Sequence, residues 1–307
     1  MEFDSSIEKR DTTSPLVSII VITYNSSKYV LETLESAKAQ TYQNIELIIS
    51  DDCSIDNTVE ICRDWIEENK ERFKRTDLIT VKKNTGISPN ANRGFNAAKG
   101  EWVKPIAGDD ILNQECISSF LSYIKSHTET FFFFSDIEIF GTGEFSYKRD
   151  SVRNWIDKSM KCMESLPSSE AQYRRLKISN IICAPSAIYQ LKVFHTLGGF
   201  DEELKLLEDY PFWITATKNG YQIMSIKEKL VKYRVNEHSV QTSSAYLIAY
   251  ELFLQKYIFK NILFRFIVKS MNQLSIGKTE ILLCSLLKAT SLPQRYIWKI
   301  KKKKLRE

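Results

Sequence analysis

The sequence predicts an α/β fold with a central sheet flanked by helices, and three observations predict it. Short β-branched runs alternate with stretches of helical period from Leu16 onward. The first apolar run is continuous instead of alternating. Acidic residues close successive strands.

Val17, Ile19, Ile20, Val21 and Ile22 form a run of strand length that stops at Thr23, Tyr24 and Asn25, as expected of a parallel strand covered on both faces. The spacing of Val30, Leu34 and Ala37 predicts a helix over 28–40, and a second strand fits Ile45 to Ser50, with Asp51 and Asp52 at its carboxyl end. Asn57 followed by Glu60 predicts a capping box for a helix burying Val59, Cys62 and Ile66, after which Leu78 to Val81 forms a third strand. A helix from Asn90 to Lys99 leads into a strand from Glu101 to Ile106, closed by Ala107, Gly108, Asp109 and Asp110. Further strands are predicted over Phe131 to Phe134, continuing through Ile137 and Ile139, and over Ile181 to Tyr189. A helix is predicted over Glu208 to Lys218, whose leading acids suit its dipole. The stretch from Ser151 to Ser179 is polar and carries no decisive period. Open α/β sheets bind ligands beyond the carboxyl ends of their strands, so Tyr24, Asp51 and Asp52 stand where a nucleotide can lie.

Composition narrows the function classes. The 307 residues are 43% hydrophobic and 26% charged, which fits a folded globular chain. The net charge of +5 hides an asymmetry: the tail from Ala245 to Glu307 carries 13 Lys+Arg against 3 Glu, leaving the body with 30 basic and 35 acidic side chains. A nucleic-acid enzyme carries its positive charge over the catalytic body, so nucleic acid is not the expected partner. Six cysteines lie scattered without a CxxC or a Cys/His ligand spacing, against a disulfide framework or a zinc site. The first fifteen residues contain acids and no apolar run, so no signal peptide or anchor is expected there and a cytosolic location is.

Two acidic pairs are the candidates for chemistry. No P-loop is present, and the Gly-x-Gly at 141–143 lacks the following helix that a phosphate cradle needs. A carboxylate-held divalent cation is the usual substitute, because hard oxygen ligands suit Mg2+ or Mn2+ and the cation offsets charge on a leaving phosphate. Asp109 and Asp110 fit that role, although paired acids at a turn also serve as solvated caps. Glu208 and Asp209 open a helix in the run LLEDYPFW. They read either as acids of a first turn or as a general base whose basicity is raised by bulky aromatic neighbours.

Five blocks in one order, VSIIVITYN (17–25), ELIISDDCSIDNT (46–58), AKGEWVKPIAGDDIL (98–112), LGGFDEEL with EDYPFW (197–213) and YRVNEHSVQT (233–242), resemble the family 2 glycosyltransferases. The resemblance covers about Val17 to Thr242 and implies the GT-A fold, a Rossmann-like mixed central sheet flanked by helices, here with a C-terminal helical extension. It implies a catalytic domain over 1–242, divided into a nucleotide-sugar half (1–110) and an acceptor half carrying the base (111–242), and an extension over 243–307. It further implies that Tyr24 stacks on a nucleobase and Asp52 bonds the base edge, with Thr23 and Asn25 shaping the turn. A carboxylate accepts from an imide N–H, which favours uracil and hence a UDP-sugar donor. By the same resemblance Asp109 ligates Mn2+ or Mg2+ at the donor diphosphate, Asp110 supports it or contacts the sugar, Asp209 is the base and Glu208 its neighbour. Ala107 stands where many relatives have the first acid of the metal motif, and Asn236 where many have a histidine. Arg93 and Arg234 are candidates to approach phosphates, weighed against ordinary pairing with acids, and His238 is a nearby alternative ligand.

The reaction so implied is an inverting single displacement, in O-antigen or other surface polysaccharide assembly, onto a lipid-linked or oligosaccharide acceptor. The alternatives are a nucleotidyltransferase, which would show a glycine-rich phosphate loop, and an inactive sugar-binding scaffold. From Tyr246 to Val268 apolar residues recur at helical spacing but Lys256, Lys260 and Arg265 interrupt them, so the segment is not expected to span a membrane. With KIKKKKLRE at its end, the tail fits peripheral association with an anionic membrane, at the inner face of the cytoplasmic membrane, or packing on the domain.

Overall fold

The computed structural model describes residues 14–141, 146–235 and 244–258. Eight strands form one mixed sheet: β1 (Val17–Thr23), β2 (Ile45–Asp51), β3 (Thr76–Thr80), β4 (Trp102–Ala107), β5 (Ile111–Leu112), β6 (Phe132–Phe140), β7 (Ala187–Gln190) and β8 (Ile223–Arg234), in the order β3-β2-β1-β4-β7-β6-β8-β5. β1, β2, β3 and β4 are parallel neighbours; β1, β2 and β4 are almost continuously buried, as expected of strands covered on both faces, and β3 is the half-buried edge strand. Beyond β4 the sheet is mixed, β7 running antiparallel to both β4 and β6, β8 parallel to β6, and β5 antiparallel to β8. The register pairs Val17 with Ile45 and Trp102, and Thr23 with Asp51, so three strands end level and their last residues share one rim.

Helices α1 (Val30–Lys38), α2 (Thr58–Asn69), α3 (Ile87–Ala97), α4 (Cys116–Ser126), α5 (Ser146–Glu164), α6 (Ser169–Leu176), α7 (Leu191–Thr196), α8 (Asp209–Lys218) and α9 (Ser244–Phe253) follow in the connections. Before α3, Gly86 has φ +104° and its backbone lies against Lys205, where a Cβ would meet the Lys205 carbonyl oxygen at 2.8 Å; only glycine fits both constraints. The densest packing gathers Phe95, Phe132, Tyr189, Phe194, Phe200, Phe212 and Trp213, with Tyr189 stacked on Trp213 at 5.1 Å.

The structure departs from the sequence expectations at four places. The capping box at Asn57 is not formed: Asp56 caps α2 instead, its Oδ1 accepting the N–H of Thr58 at 3.0 Å, and the buried face is Thr58, Cys62 and Trp65. Two helices, α5 and α6, occupy the polar stretch without a decisive period. The strand expected from Ile181 is confined to Ala187–Gln190, because Pro185, which lacks an N–H, sits in a 3-10 turn over Ala184–Ser186. The twelve-residue β8 is absent from the expectations, since its charged residues mask the period. In the extension, α9 packs on the body of the fold through Phe253, which is fully buried against Tyr210. Lys256 reaches Asp201 at 2.8 Å, and the Tyr257 hydroxyl donates to the same carboxylate at 2.8 Å. Among the described residues no helix is long and apolar enough to cross a membrane. Asn236, His238 and the tail from residue 259 lie outside the described residues.

Candidate functional site

The rim where β1 and β2 end carries two linked turns. Thr23 Oγ1 donates to Asp51 Oδ2 at 2.8 Å, Asn25 N–H to Ser54 Oγ at 2.8 Å, Ser26 N–H to Thr58 Oγ1 at 2.7 Å, and Ile55 N–H to Asn25 Oδ1 at 2.9 Å. Asn25 and Cys53 both sit at positive φ, 51° and 67°, conformations that the surrounding bonds must hold in place. Tyr24 projects from this braced turn with 49% of its surface exposed, an aromatic face available to a flat ligand.

Asp52 sits beside it but faces inward, 2% exposed. Its Oδ2 accepts from the N–H groups of Thr85 (2.9 Å) and Gly86 (2.7 Å), and its Oδ1 from Thr85 Oγ1 (2.6 Å) and Arg93 Nη2 (2.7 Å). Burial pushes its pKa up, yet these bonds outweigh burial and hold it below the usual aspartate range. Four donors fill the four lone-pair positions of a carboxylate, so a base edge can bond Asp52 only by taking the place of one of them. Arg93 is thereby committed to Asp52, Thr85 Oγ1 (2.8 Å) and Asn90 Oδ1 (3.0 Å), the interior pairing weighed against phosphate contact.

Asp109 and Asp110 follow β4, brought to the same rim by the register of β1 with β4. Arg234, at the end of β8, closes over their turn: its N–H donates to Asp110 Oδ1 at 2.8 Å, its Nε–H to the Asp109 carbonyl at 2.8 Å, and its Nη2–H to Glu32 at 2.9 Å. The guanidinium is held between the rings of Tyr29 (4.2 Å) and Phe140 (4.3 Å). Arg234 is therefore a clamp on the acidic turn. Burial, and then the Asp109 charge, push the Asp110 carboxyl well up, and its Oδ2 is buried without a hydrogen-bond partner. An orphaned hard oxygen beside a second carboxylate fits a divalent cation that draws its other ligands from phosphate and water. Among the described residues no group of three or more His, Cys, Asp or Glu side chains gathers to make an all-protein cage.

Glu208 and Asp209 stand at the start of α8, Asp209 with 8% of its surface exposed. Burial, and then the Asp209 charge, push Glu208 up to about 8. Burial also raises Asp209, opposed by Asn180, whose Nδ2 donates to Asp209 Oδ2 at 3.0 Å, and by the N–H groups of the first helical turn. Both carboxyls are therefore held above their ordinary range by burial, Glu208 to about 8 and Asp209 against the opposing pull of its N–H donors.

The two acidic pairs, about a hundred residues apart in sequence, come together around shared neighbours. The buried thiol of Cys183 is raised to about 12, first by burial and then by the charges of both Asp110 and Asp209. Tyr233, raised first by burial, feels Asp110, Asp109 and Tyr246; Tyr246 in turn, also raised first by burial, feels Asp209 and Glu208. Asn180, Cys183, Tyr233 and Tyr246 escaped the sequence reading as site residues because no local pattern marks them as neighbours of either acidic pair; only the packing brings them there. Trp213 was readable: four residues after Asp209, it lies one helical turn along the same face.

The family model described as Glycosyl transferase family 2 matches residues 18–198. The putative teichuronic acid biosynthesis glycosyltransferase TuaG of Bacillus subtilis (strain 168) is 25% identical over 229 residues, covering 75% of this chain and 82% of its own. The fold is similar to that of S. aureus TarS 1-349 in complex with UDP-GlcNAc, at 22% identity and a TM-score of 0.58, covering 77% of this chain and 65% of that one, just under two thirds. It is also similar to mannosyltransferase PcManGT from Pyrobaculum calidifontis in complex with GDP-Man and Mn2+, at 18% identity and a TM-score of 0.58, covering 88% and 68%.

Proposed function

We propose, given that this chain belongs to glycosyl transferase family 2, that it moves a sugar from a UDP-sugar to an acceptor hydroxyl by inverting single displacement. The observation that carries the reading is the convergence of Asp109 and Asp110 with Glu208 and Asp209 on the neighbourhood of Cys183, Tyr233 and Tyr246. A donor lying between them has its diphosphate toward the first pair and its anomeric carbon open to an alcohol beside the second.

Tyr24 stacks on the base, and the braced turn of Thr23 and Asn25 holds Tyr24 in place. Asp52 and Arg93 shape the pocket behind it, and a uracil imide meets Asp52 by displacing one of its present donors. Asp109, supported by Asp110, would hold a divalent cation, Mn2+ or Mg2+, that when bound supplies positive charge at the departing diphosphate. Asp209 takes the proton of the acceptor hydroxyl as its oxygen bonds the anomeric carbon. The bond from that carbon to the diphosphate oxygen breaks on the opposite face, UDP departs with the electron pair, and configuration inverts. Glu208, protonated beside Asp209, spares it a second negative charge.

The donor reading is supported by UDP-GlcNAc in the TarS complex and the cation by Mn2+ in the PcManGT complex. The name of TuaG supports surface polysaccharide assembly, for which the acceptor we propose is a lipid-pyrophosphate-linked sugar, reached by peripheral attraction of the basic tail to an anionic membrane at its cytoplasmic face. Incubation with UDP-GlcNAc, UDP-Glc and UDP-Gal in the presence of Mn2+ is expected to release UDP from at least one donor. Asp209→Asn is expected to lower that release by about a hundredfold or more while UDP affinity, by calorimetry, stays within about twofold. Near wild-type release by the variant refutes the assignment of the base.

A further inference from the structure

Asn180 lies in the loop between α6 and the 3-10 turn at Ala184–Ser186, and both ends of its side chain are bound. Its Oδ1 accepts the N–H of Ile182 at 3.0 Å, and its Nδ2 donates to Asp209 Oδ2 at 3.0 Å. The opposite amide orientation would set an N–H against an N–H and an oxygen against a carboxylate, so the two contacts together fix the direction of the amide. The loop itself is anchored. Ile181 and Ile182 are buried, Ser186 Oγ donates to the Cys183 carbonyl at 2.8 Å, and the buried Lys104 of β4 donates to the Pro185 carbonyl at 2.7 Å. The Tyr210 hydroxyl, next to Asp209 on α8, donates to the Leu176 carbonyl at the end of α6.

The other titratable groups facing Asp209 are Glu208 beside it, Tyr210 on the same helix, Tyr189 on β7, Cys183 on the loop and Tyr246 on α9. Each of these is an acid and can only oppose a second negative charge; the packed α6 adds one cation, Arg175, which acts on Tyr210 and donates to Ser179 Oγ at 2.7 Å. The donors favouring the ionised carboxylate are neutral N–H groups: Asn180, the backbone of residues 209 and 210, and the indole of Trp213. That indole N–H is buried without a well-formed hydrogen bond and faces the carboxylate from one turn along α8, its ring held by Tyr189.

We infer that Asn180 is the positioning residue of the base, its amide holding one oxygen of Asp209 from the anchored loop so that the remaining lone pairs are left to the acceptor hydroxyl. The inference rests on Asp209 being the base. It assigns the loop a purpose beyond connection: Lys104 ties it to the strand that delivers Asp109, and Asn180 ties it to Asp209, so one segment sets the separation of the two acidic pairs.

The test is the titration of Asp209 in the full chain, followed by carboxyl 13C resonances in aspartate-labelled protein, with the signal identified by its loss in Asp209→Asn. Asn180→Ala is expected to raise the midpoint by about one pH unit, tenfold in proton affinity. The acid limb of UDP release from UDP-GlcNAc moves with it, while UDP affinity stays unchanged. Asn180→Asp, nearly isosteric, moves the midpoint further in the same direction and guards against a packing defect in the alanine variant. An unmoved midpoint in both variants, with UDP binding intact, overturns the inference. If Asp209→Asn is inactive and the Asn180 variants leave the midpoint unmoved, the positioning role falls alone. If Asp209→Asn retains turnover, the base reading falls first.

Discussion

Single residues at this site are set by what already bonds them. Asp51 and Asp52 are adjacent and both buried, yet neither points freely at a ligand: Asp51 takes Thr23 and Ser54, and Asp52 takes Thr85, Gly86 and Arg93. Tyr24 is the exposed aromatic of the rim, so nucleotide affinity should respond to it most directly. Tyr24→Ala is expected to weaken UDP binding on the order of tenfold, measured by calorimetry with Mn2+ present, because base–aromatic stacking contributes about 1–3 kcal/mol. Glu208 gives a prediction about stability. Burial and Asp209 keep it protonated in the fold to about pH 8, whereas in the unfolded chain it ionises near its ordinary value of 4.5. Between those values the unfolded chain binds fewer protons, so rising pH favours unfolding, and the penalty is full above about 8. Glu208→Gln removes it. Its melting temperature should match the wild type near pH 4.5 and exceed it increasingly toward pH 8, by a stability gain on the order of 4 kcal/mol; a difference constant with pH would contradict the assigned shift.

Elements position these residues through their ends. β1, β2 and β4 finish level, which makes a rim from Thr23, Asp51 and Ala107; α8 begins at Asp209, and β8 finishes at Arg234 over the Asp109 turn. The extension element α9 belongs to this assembly. Its rings Tyr246, Tyr250 and Phe253, continued by Tyr257, follow one another at 5.6–6.4 Å, and Phe253 meets Tyr210 at 4.4 Å, beside Asp209. Phe253→Ala is expected to destabilise the protein by about 3 kcal/mol, read as a fall of several degrees in melting temperature, because the cavity it leaves opens among rings that cannot collapse into it. A change under about 0.5 kcal/mol would show α9 to be merely laid on the surface.

At the scale of the whole molecule, one sheet runs from the rim of Tyr24 and Asp52 to the Arg234 clamp. The parallel strands β3-β2-β1-β4 carry the rim of Tyr24, Asp51 and Asp52, and the mixed strands β7-β6-β8-β5 carry the clamp. The joint between them is the β4–β7 pair together with the loop preceding β7, where Lys104 is held fully buried, its pKa pushed down to about 8 by burial, and bonded to the carbonyls of Pro105 and Pro185. Such a buried ammonium, with Asp110 near enough to favour its charge, ties the loop before β7 to the strand that leads into Asp109 and Asp110.

The local periods determined the parallel half. Val17–Thr23, Ile45–Asp51 and Trp102–Ala107 were legible because a strand buried on both faces is continuously apolar, and Asp109 and Asp209 stood out as acids at element ends. The ordered blocks placed the chain in its family. The sequence did not reveal β8, whose Lys227, Glu228 and Lys229 interrupt its period, or the helices of 146–176, whose solvated faces dilute theirs. Tertiary structure alone decided which donors each carboxylate receives. Asn180 is 29 residues from Asp209 in sequence, Arg234 is 125 from Asp109, and Thr85 is 33 from Asp52. Hydrogen bonds act over about 3 Å of space and carry no trace of that separation along the chain, so the protonation and aim of each acid are properties of the packed molecule.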